Sequence, residues 1–104
     1  METPEQIAAP LLADVVAFDA AKFKNAVVLN NGSAKAMVFA LKAGQAVPPH
    51  STPTDALLTV LEGSGMVTIA ATSPEVHRGG YVVMPMGSEH HIKATTDMKF
   101  LLVK

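Results

Sequence analysis

The chain has 104 residues, of which 49% are hydrophobic, and its eight Lys and Arg against nine Asp and Glu give a net charge of -1. This length leaves room for one domain with a single core and excludes a multidomain enzyme. The balanced charge, without a basic run, predicts no nucleic-acid partner. The absence of Cys excludes disulfides, thiolate metal sites and Cys nucleophiles.

Two further features of the composition concern location and assembly. The first six residues are acidic where a signal peptide needs positive charge, and no apolar stretch approaches the roughly 20 residues of a membrane span. We therefore expect a cytoplasmic protein with no membrane partner. Charged residues make up only 16% of the chain, against roughly 25% in an average soluble domain. Because a surface short of charge is often partly covered, we expect a homodimer, the commonest closed symmetry.

The first 24 residues read as an N-terminal arm. Its apolar segment, residues 7–16, is ambiguous between a short helix and an extended segment, because Pro10 interrupts any helical pattern. After the arm, residues 26–29 and 34–42 are compatible with strands. They flank Asn30-Asn31-Gly32-Ser33, whose residues accept positive φ readily, and this arrangement predicts a hairpin.

The rest of the chain alternates between strand-like runs and turn signals. Residues 57–61 and 66–69 flank Glu62-Gly63-Ser64-Gly65, which predicts a second hairpin. The further strand-like runs are residues 76–77, 81–84, 90–93 and 99–103. About eight short strands at roughly 8 to 12 residue spacing are typical of an all-β sandwich or barrel.

The residue types that carry chemistry here are histidines. His50 precedes the strand that begins near residue 57, and His90 and His91 begin the next-to-last strand. Because side chains alternate along a strand, at most one of His90 and His91 can point inward. His91 and His77 are interpreted as surface residues, since neither has a partner at ligand spacing.

These segments resemble the two motifs of the cupin family, the RmlC-like jelly-roll barrels also called double-stranded β-helices. Gly44, His50 and Gly63 fit the first motif. The second motif is matched at its spacing by Gly79, Pro85, Gly87 and His90. The resemblance implies that residues 25–104 form a single cupin β-barrel domain, preceded by the arm of residues 1–24.

The chain departs from the family pattern at three of the motif positions. The second ligand His is replaced by Thr52, the Glu by Ala56 and the terminal Asn by Ala94, so that two of four metal ligands remain. The resemblance therefore implies that His50 and His90 hold a divalent ion weakly, because a catalytic metal needs about three protein ligands. Two imidazoles suit Zn, Ni, Fe or Cu.

Other residues are candidates for binding a small organic ligand at the barrel rim. Thr52 offers a hydroxyl oxygen, while Met84 and Met86 flank Pro85 and offer adaptable apolar surface. Asp55 is the nearest carboxylate to the motif, but its strand parity is opposite to that of Ala56, which predicts that it points away from the interior.

From these features we expect a small cupin-fold protein of unassigned biochemical role that binds a small ligand or a weakly held divalent metal in its barrel. Two alternatives remain open. One is a metal-dependent cupin enzyme of the oxygenase or isomerase type, which requires a third ligand. The other is a dimeric structural or regulatory module that acts through its surface or its arm.

Overall fold

A computed structural model describes residues 7–104, so the first six residues of the predicted arm lie outside the described part of the chain. Nine strands follow the arm: β1 (Lys24–Asn30), β2 (Lys35–Leu41), β3 (Ala46–His50), β4 (Ala56–Glu62), β5 (Ser64–Ile69), β6 (Glu75–His77), β7 (Tyr81–Met84), β8 (His90–Ala94) and β9 (Met98–Val103). Within residues 7–104, the only helical element is a three-residue 3₁₀ turn, Leu12–Asp14. The predicted all-β class is confirmed. No helix in the described range is long and apolar enough to cross a membrane.

The strands form two antiparallel sheets that face each other. The larger sheet has the order β1-β2-β9-β4-β7 and the smaller has the order β3-β8-β5-β6. Alternate side chains of both sheets point into the space between them and form one core. The core consists of Phe39, Leu41, Val47, Ala56, Leu58, Val60, Val67, Val76, Met84, Ile92, Ala94, Met98, Phe100 and Leu102. At its centre the rings of Phe39 and Phe100 stack with centroids 4.8 Å apart.

The first predicted hairpin is confirmed. β1 pairs with β2 in antiparallel register from Lys24 opposite Ala40 to Asn30 opposite Lys35. In the turn between them, Asn31 Oδ1 accepts hydrogen bonds from the backbone N–H groups of Ser33 and Ala34, at 2.9 and 2.8 Å. The Asn side chain thus substitutes for backbone acceptors in the turn.

The second predicted hairpin is wrong. β4 pairs with β9 and β7 in the larger sheet, whereas β5 pairs with β8 and β6 in the smaller sheet. Gly63 alone connects them, with φ 75°, and marks the corner at which the chain passes from one sheet to the other. Two strand-like runs around glycines predict a sharp change of direction, but the partner of each strand is decided by tertiary packing.

The structure has one strand more than the eight that the sequence predicts, and this strand is β3. It contains Pro48 and Pro49, which lack the N–H that a central strand needs. β3 lies at the edge of the smaller sheet and pairs only with β8, so both prolines are tolerated there.

The arm packs against the outer face of the larger sheet. Lys99, which is only 9% exposed, donates a hydrogen bond from Nζ to the backbone oxygen of Ala13. The same Nζ lies 4.9 Å from the ring centroid of Phe18. The arm therefore satisfies a buried charge on β9.

The corner at Gly63 generates a prediction about stability. A Cβ at this position would overlap the backbone carbonyl of Asp97, in addition to the strain of positive φ. Gly32 has φ 87° with open space around it, so Gly32→Ala isolates the conformational strain. We expect Gly32→Ala to lower the free energy of unfolding by about 1 to 2 kcal/mol. Gly63→Ala should lower the free energy of unfolding by about 1 to 3 kcal/mol more than Gly32→Ala does, because the backbone at Asp97 must move away from the added Cβ.

Urea unfolding followed by circular dichroism measures both losses on the same scale. Equal losses in the two variants would contradict the close approach of Gly63 to Asp97.

Candidate functional site

The order of the strands gathers several polar side chains at one end of the barrel. β3 ends at His50, β8 begins at His90 and β2 begins at Lys35. β9 ends beside Lys104, which pairs with Lys35. We call this end, marked by His50, His90, Lys35 and Lys104, the mouth.

An irregularity in β3 decides the direction of His50. Val47 lies opposite Ile92, and His50 lies opposite His90, so two residues of β3 face the single residue His91 of β8. An uninterrupted strand would point residues 47 and 50 to opposite faces. The extra residue, a β-bulge, places His50 on the same inner face as Val47.

The two imidazoles meet edge to face. Their Nε2 atoms are 3.0 Å apart, and the ring centroids are 4.2 Å apart at an interplanar angle of 68°. His50 Nδ1 lies 2.9 Å from the backbone oxygen of Pro48. Because a carbonyl can only accept, His50 Nδ1 donates to Pro48, and in this tautomer His50 Nε2 accepts a hydrogen bond from His90 Nε2.

His90 is held neutral by its surroundings. Its side chain is only 1% exposed, and its Nδ1 is a buried atom without a hydrogen-bond partner in residues 7–104. Burial lowers the pKa of His90 below its usual 6.5. The neighbouring His50 lowers the pKa further, the Ser88 backbone acts in the opposite direction, and the ammonium group of Lys104 adds a smaller lowering.

The spacing of the two Nε2 atoms is close to that of two ligands on one divalent ion. Imidazole nitrogens lie about 2.0 to 2.1 Å from a bound zinc, so two such ligands are about 2.9 Å apart at a right angle and about 3.4 Å apart at the tetrahedral angle that zinc prefers. The observed separation of 3.0 Å is that of a hydrogen bond between the two imidazoles. An ion can replace the shared proton after the rings move apart by a few tenths of an ångström. The hydrogen bond from His50 Nδ1 to a backbone carbonyl is also the arrangement that orients a metal-binding imidazole.

No third protein ligand joins the pair. Within residues 7–104, no group of three or more His, Asp or Glu side chains could hold a metal. Asp55 is exposed, and its Oδ1 accepts a hydrogen bond of 2.8 Å from the backbone N–H of Met86. It points away from the interior, as its strand parity predicts. The donor set therefore fits a two-histidine site and does not fit a three-ligand catalytic centre.

The three predicted ligand-binding residues occupy different environments. Thr52 is buried, and its Oγ1 donates a hydrogen bond of 2.6 Å to the backbone oxygen of Thr54. Met84 is fully buried in the core, whereas Met86 is 66% exposed beyond the end of β7. Thr52 alone retains a polar atom near the end of β3, and the binding roles of all three remain predictions.

The structure also brings to the mouth two lysines that the sequence interpretation did not single out. Lys35 and Lys104 line a cavity of about 300 Å³ together with Asn30, Gly32, Ser33, Ala34, Pro53 and Thr54. The strand alternation in the sequence could have identified them. Lys35 stands two residues before Met37 and Lys104 two residues after Leu102, and both of these side chains face the core. Using this alternation requires knowing that β2 and β9 are neighbours.

Known proteins share this architecture and part of this sequence. A family model described as "Cupin domain" matches residues 37–104. A conserved protein of unknown function from Streptococcus pyogenes is 28% identical, with a TM-score of 0.86, over 99% of this chain and 88% of that one. An RmlC-like cupin protein from Desulfovibrio desulfuricans is 31% identical, with a TM-score of 0.83, over 93% and 94% of the two chains.

A third solved structure shares the fold at lower identity. A cupin superfamily protein from Desulfitobacterium hafniense is 17% identical, with a TM-score of 0.85, over 97% of this chain and 92% of that chain. Among curated proteins, none matches this chain significantly.

Proposed function

The chain belongs to the cupin domain family, and on this premise we propose that it binds a divalent metal ion through His50 and His90 at the mouth, where a small ligand can join it. The observation that carries the proposal is the 3.0 Å separation of the two Nε2 atoms, with His50 oriented by the Pro48 carbonyl. Zn, Ni, Fe and Cu all accept imidazole, so the donors leave the choice of metal open.

Each imidazole has a distinct part in this site. His50 is oriented by the hydrogen bond of its Nδ1, which leaves its Nε2 as the acceptor of a hydrogen bond from His90 Nε2. His90 is fixed by burial, which lowers its pKa, and it would ligate an ion once the proton of its Nε2 has moved to Nδ1 or has been released. A bound ion would supply Lewis acidity toward an oxygen-containing ligand. With only two protein ligands, the remaining coordination positions fall to water or to that ligand, and binding is weak and exchangeable.

The metal content of untagged protein tests the proposal. After equilibrium dialysis against zinc, plasma mass spectrometry should find more zinc with the wild-type chain than in the surrounding buffer. His50→Ala and His90→Ala should each abolish this excess, because one imidazole alone cannot hold the ion. His91→Ala is the matched control, since His91 lies next to His90 on β8 but points to the opposite face. It should bind as much zinc as the wild-type chain.

A gain-of-ligand variant strengthens this experiment. Thr52 stands at the family's second ligand position and is buried, so Thr52→His should tighten zinc binding by adding a third imidazole. Zinc binding that survives loss of both His50 and His90, or zinc absent from wild type and Thr52→His alike, would contradict the proposal.

We also propose that a second copy of the chain covers the outer face of the larger sheet at β7. Tyr81 and Val83 are 64% and 51% exposed there, on the edge strand beside Leu57 and Thr59. Exposed apolar side chains on a sheet edge are typical of an interaction surface. A dimer formed in this way accounts for the low charge of the chain. Location in the cytoplasm remains a prediction from the sequence.

Multi-angle light scattering tests the assembly. The wild-type chain should have the mass of a dimer, and the double variant Tyr81→Lys, Val83→Lys should have the mass of a monomer, because like charges then face each other. Ala71→Lys, at an exposed alanine in the turn after β5, is the control and should remain dimeric. Val28→Lys tests the other edge strand, β1, where Val27, Val28 and Leu29 are also exposed. A monomeric wild-type chain, or a dimer that only Val28→Lys disrupts, would overturn this assignment.

A further inference from the structure

Lys35 and Lys104 lie directly opposite each other across the ladder that joins β2 to the end of β9. Their backbones exchange two hydrogen bonds, from Lys35 N to Lys104 O at 2.7 Å and from Lys104 N to Lys35 O at 2.9 Å. Residues paired in this way have Cα atoms about 5.5 Å apart. Like charges placed directly opposite each other destabilise a sheet, so the arrangement has a cost that a counter-ion would offset.

No described carboxylate neutralises these two ammonium groups. In residues 7–104, the salt bridges join Lys24 to Asp19, Lys42 to Asp97 and His77 to Glu75. Within residues 7–104, therefore, neither ammonium group forms an ion pair with an Asp or Glu side chain.

Both lysine side chains belong to the inner side of the sheet. Met37 and Leu102 are paired and contact the core, and Lys35 and Lys104 each stand two residues further toward the mouth. Both line the cavity of about 300 Å³ at this end of the barrel. The ammonium group of Lys104 also lowers the pKa of His90, which places it within electrostatic reach of the imidazole pair.

We propose that the mouth binds a small organic carboxylate, whose negative charge is held between the ammonium groups of Lys35 and Lys104. This inference rests on the proposed function only for its location at the mouth, because the residues that line the cavity do not include His50 or His90. Charge-assisted hydrogen bonds from two ammonium groups match the acceptors of one carboxylate or of a short dicarboxylate. Ammonium groups also bind phosphate, so inorganic phosphate is the competing anion that the test has to exclude.

Titration calorimetry on EDTA-treated protein, at one fixed ionic strength, tests the inference with three probes: succinate, its neutral analogue succinamide, and inorganic phosphate. Succinate should bind the wild-type chain and succinamide should not. Lys35→Met and Lys104→Met should each raise the Kd for succinate about tenfold, which corresponds to the loss of one hydrogen bond to a charged group. Circular dichroism confirms that each variant is folded.

Lys93→Met is the matched control, because it removes the same charge from an exposed position on β8. It should leave the Kd for succinate within roughly twofold of the wild-type value, as expected for screened charges at a distance. Equal weakening by Lys93→Met, equal binding of succinamide, or tighter binding of phosphate than of succinate would each overturn the carboxylate assignment.

The double variant His50→Ala, His90→Ala separates this inference from the metal proposal. If the lysines hold the anion, this variant loses zinc but still binds succinate. If the wild-type chain binds succinate but no zinc, the metal proposal fails and the carboxylate proposal is unaffected. Loss of succinate binding in the histidine variant, with no effect of Lys35→Met or Lys104→Met, would show that the lysines do not hold it.

Discussion

One extra residue in β3 determines the chemistry of the mouth. The bulge between Val47 and His50 turns the imidazole of His50 onto the inner face, directly across the ladder from His90. A regular strand would place His50 outside and leave His90 alone in an apolar interior. The bulge is possible because β3 is an edge strand, where Pro48 and Pro49 interrupt no second ladder. Everything proposed for the histidine pair depends on this local geometry.

The bulge brings the imidazole of His50 to that of His90, and the other residues of the mouth limit what the pair can bind. Thr52 and Ala56 stand where the family has further ligands, and the nearest carboxylate, Asp55, is engaged by the backbone of Met86. The mouth therefore holds two imidazoles and two cationic groups, and within residues 7–104 no group of three or more His, Asp or Glu side chains that could hold a metal is found. Such surroundings disfavour tight binding of a cation alone and favour an ion that arrives with, or is completed by, an anionic oxygen ligand.

The sequence predicted the fold class and the first hairpin because alternation and turn chemistry are local properties. It did not predict that β4 and β5 join different sheets, since Gly63 makes a corner that resembles a hairpin turn in sequence. His50 and His90 were identified through motif resemblance, but their direct contact was not, because the register across Pro48 and Pro49 is settled only by pairing with β8. Lys35 and Lys104 were missed because their meeting depends on strands about 70 residues apart.

Anomalous X-ray scattering from crystals soaked with zinc tests the central claim most directly, because it locates the ion rather than counting it. The proposal of a two-histidine metal site predicts a zinc peak about 2.0 to 2.1 Å from Nε2 of both His50 and His90. It also predicts that His50 Nδ1 keeps its hydrogen bond to the Pro48 carbonyl. Zinc bound only at the outward-facing His77 or His91, with the Nε2 atoms of His50 and His90 still in direct contact, would contradict the claim.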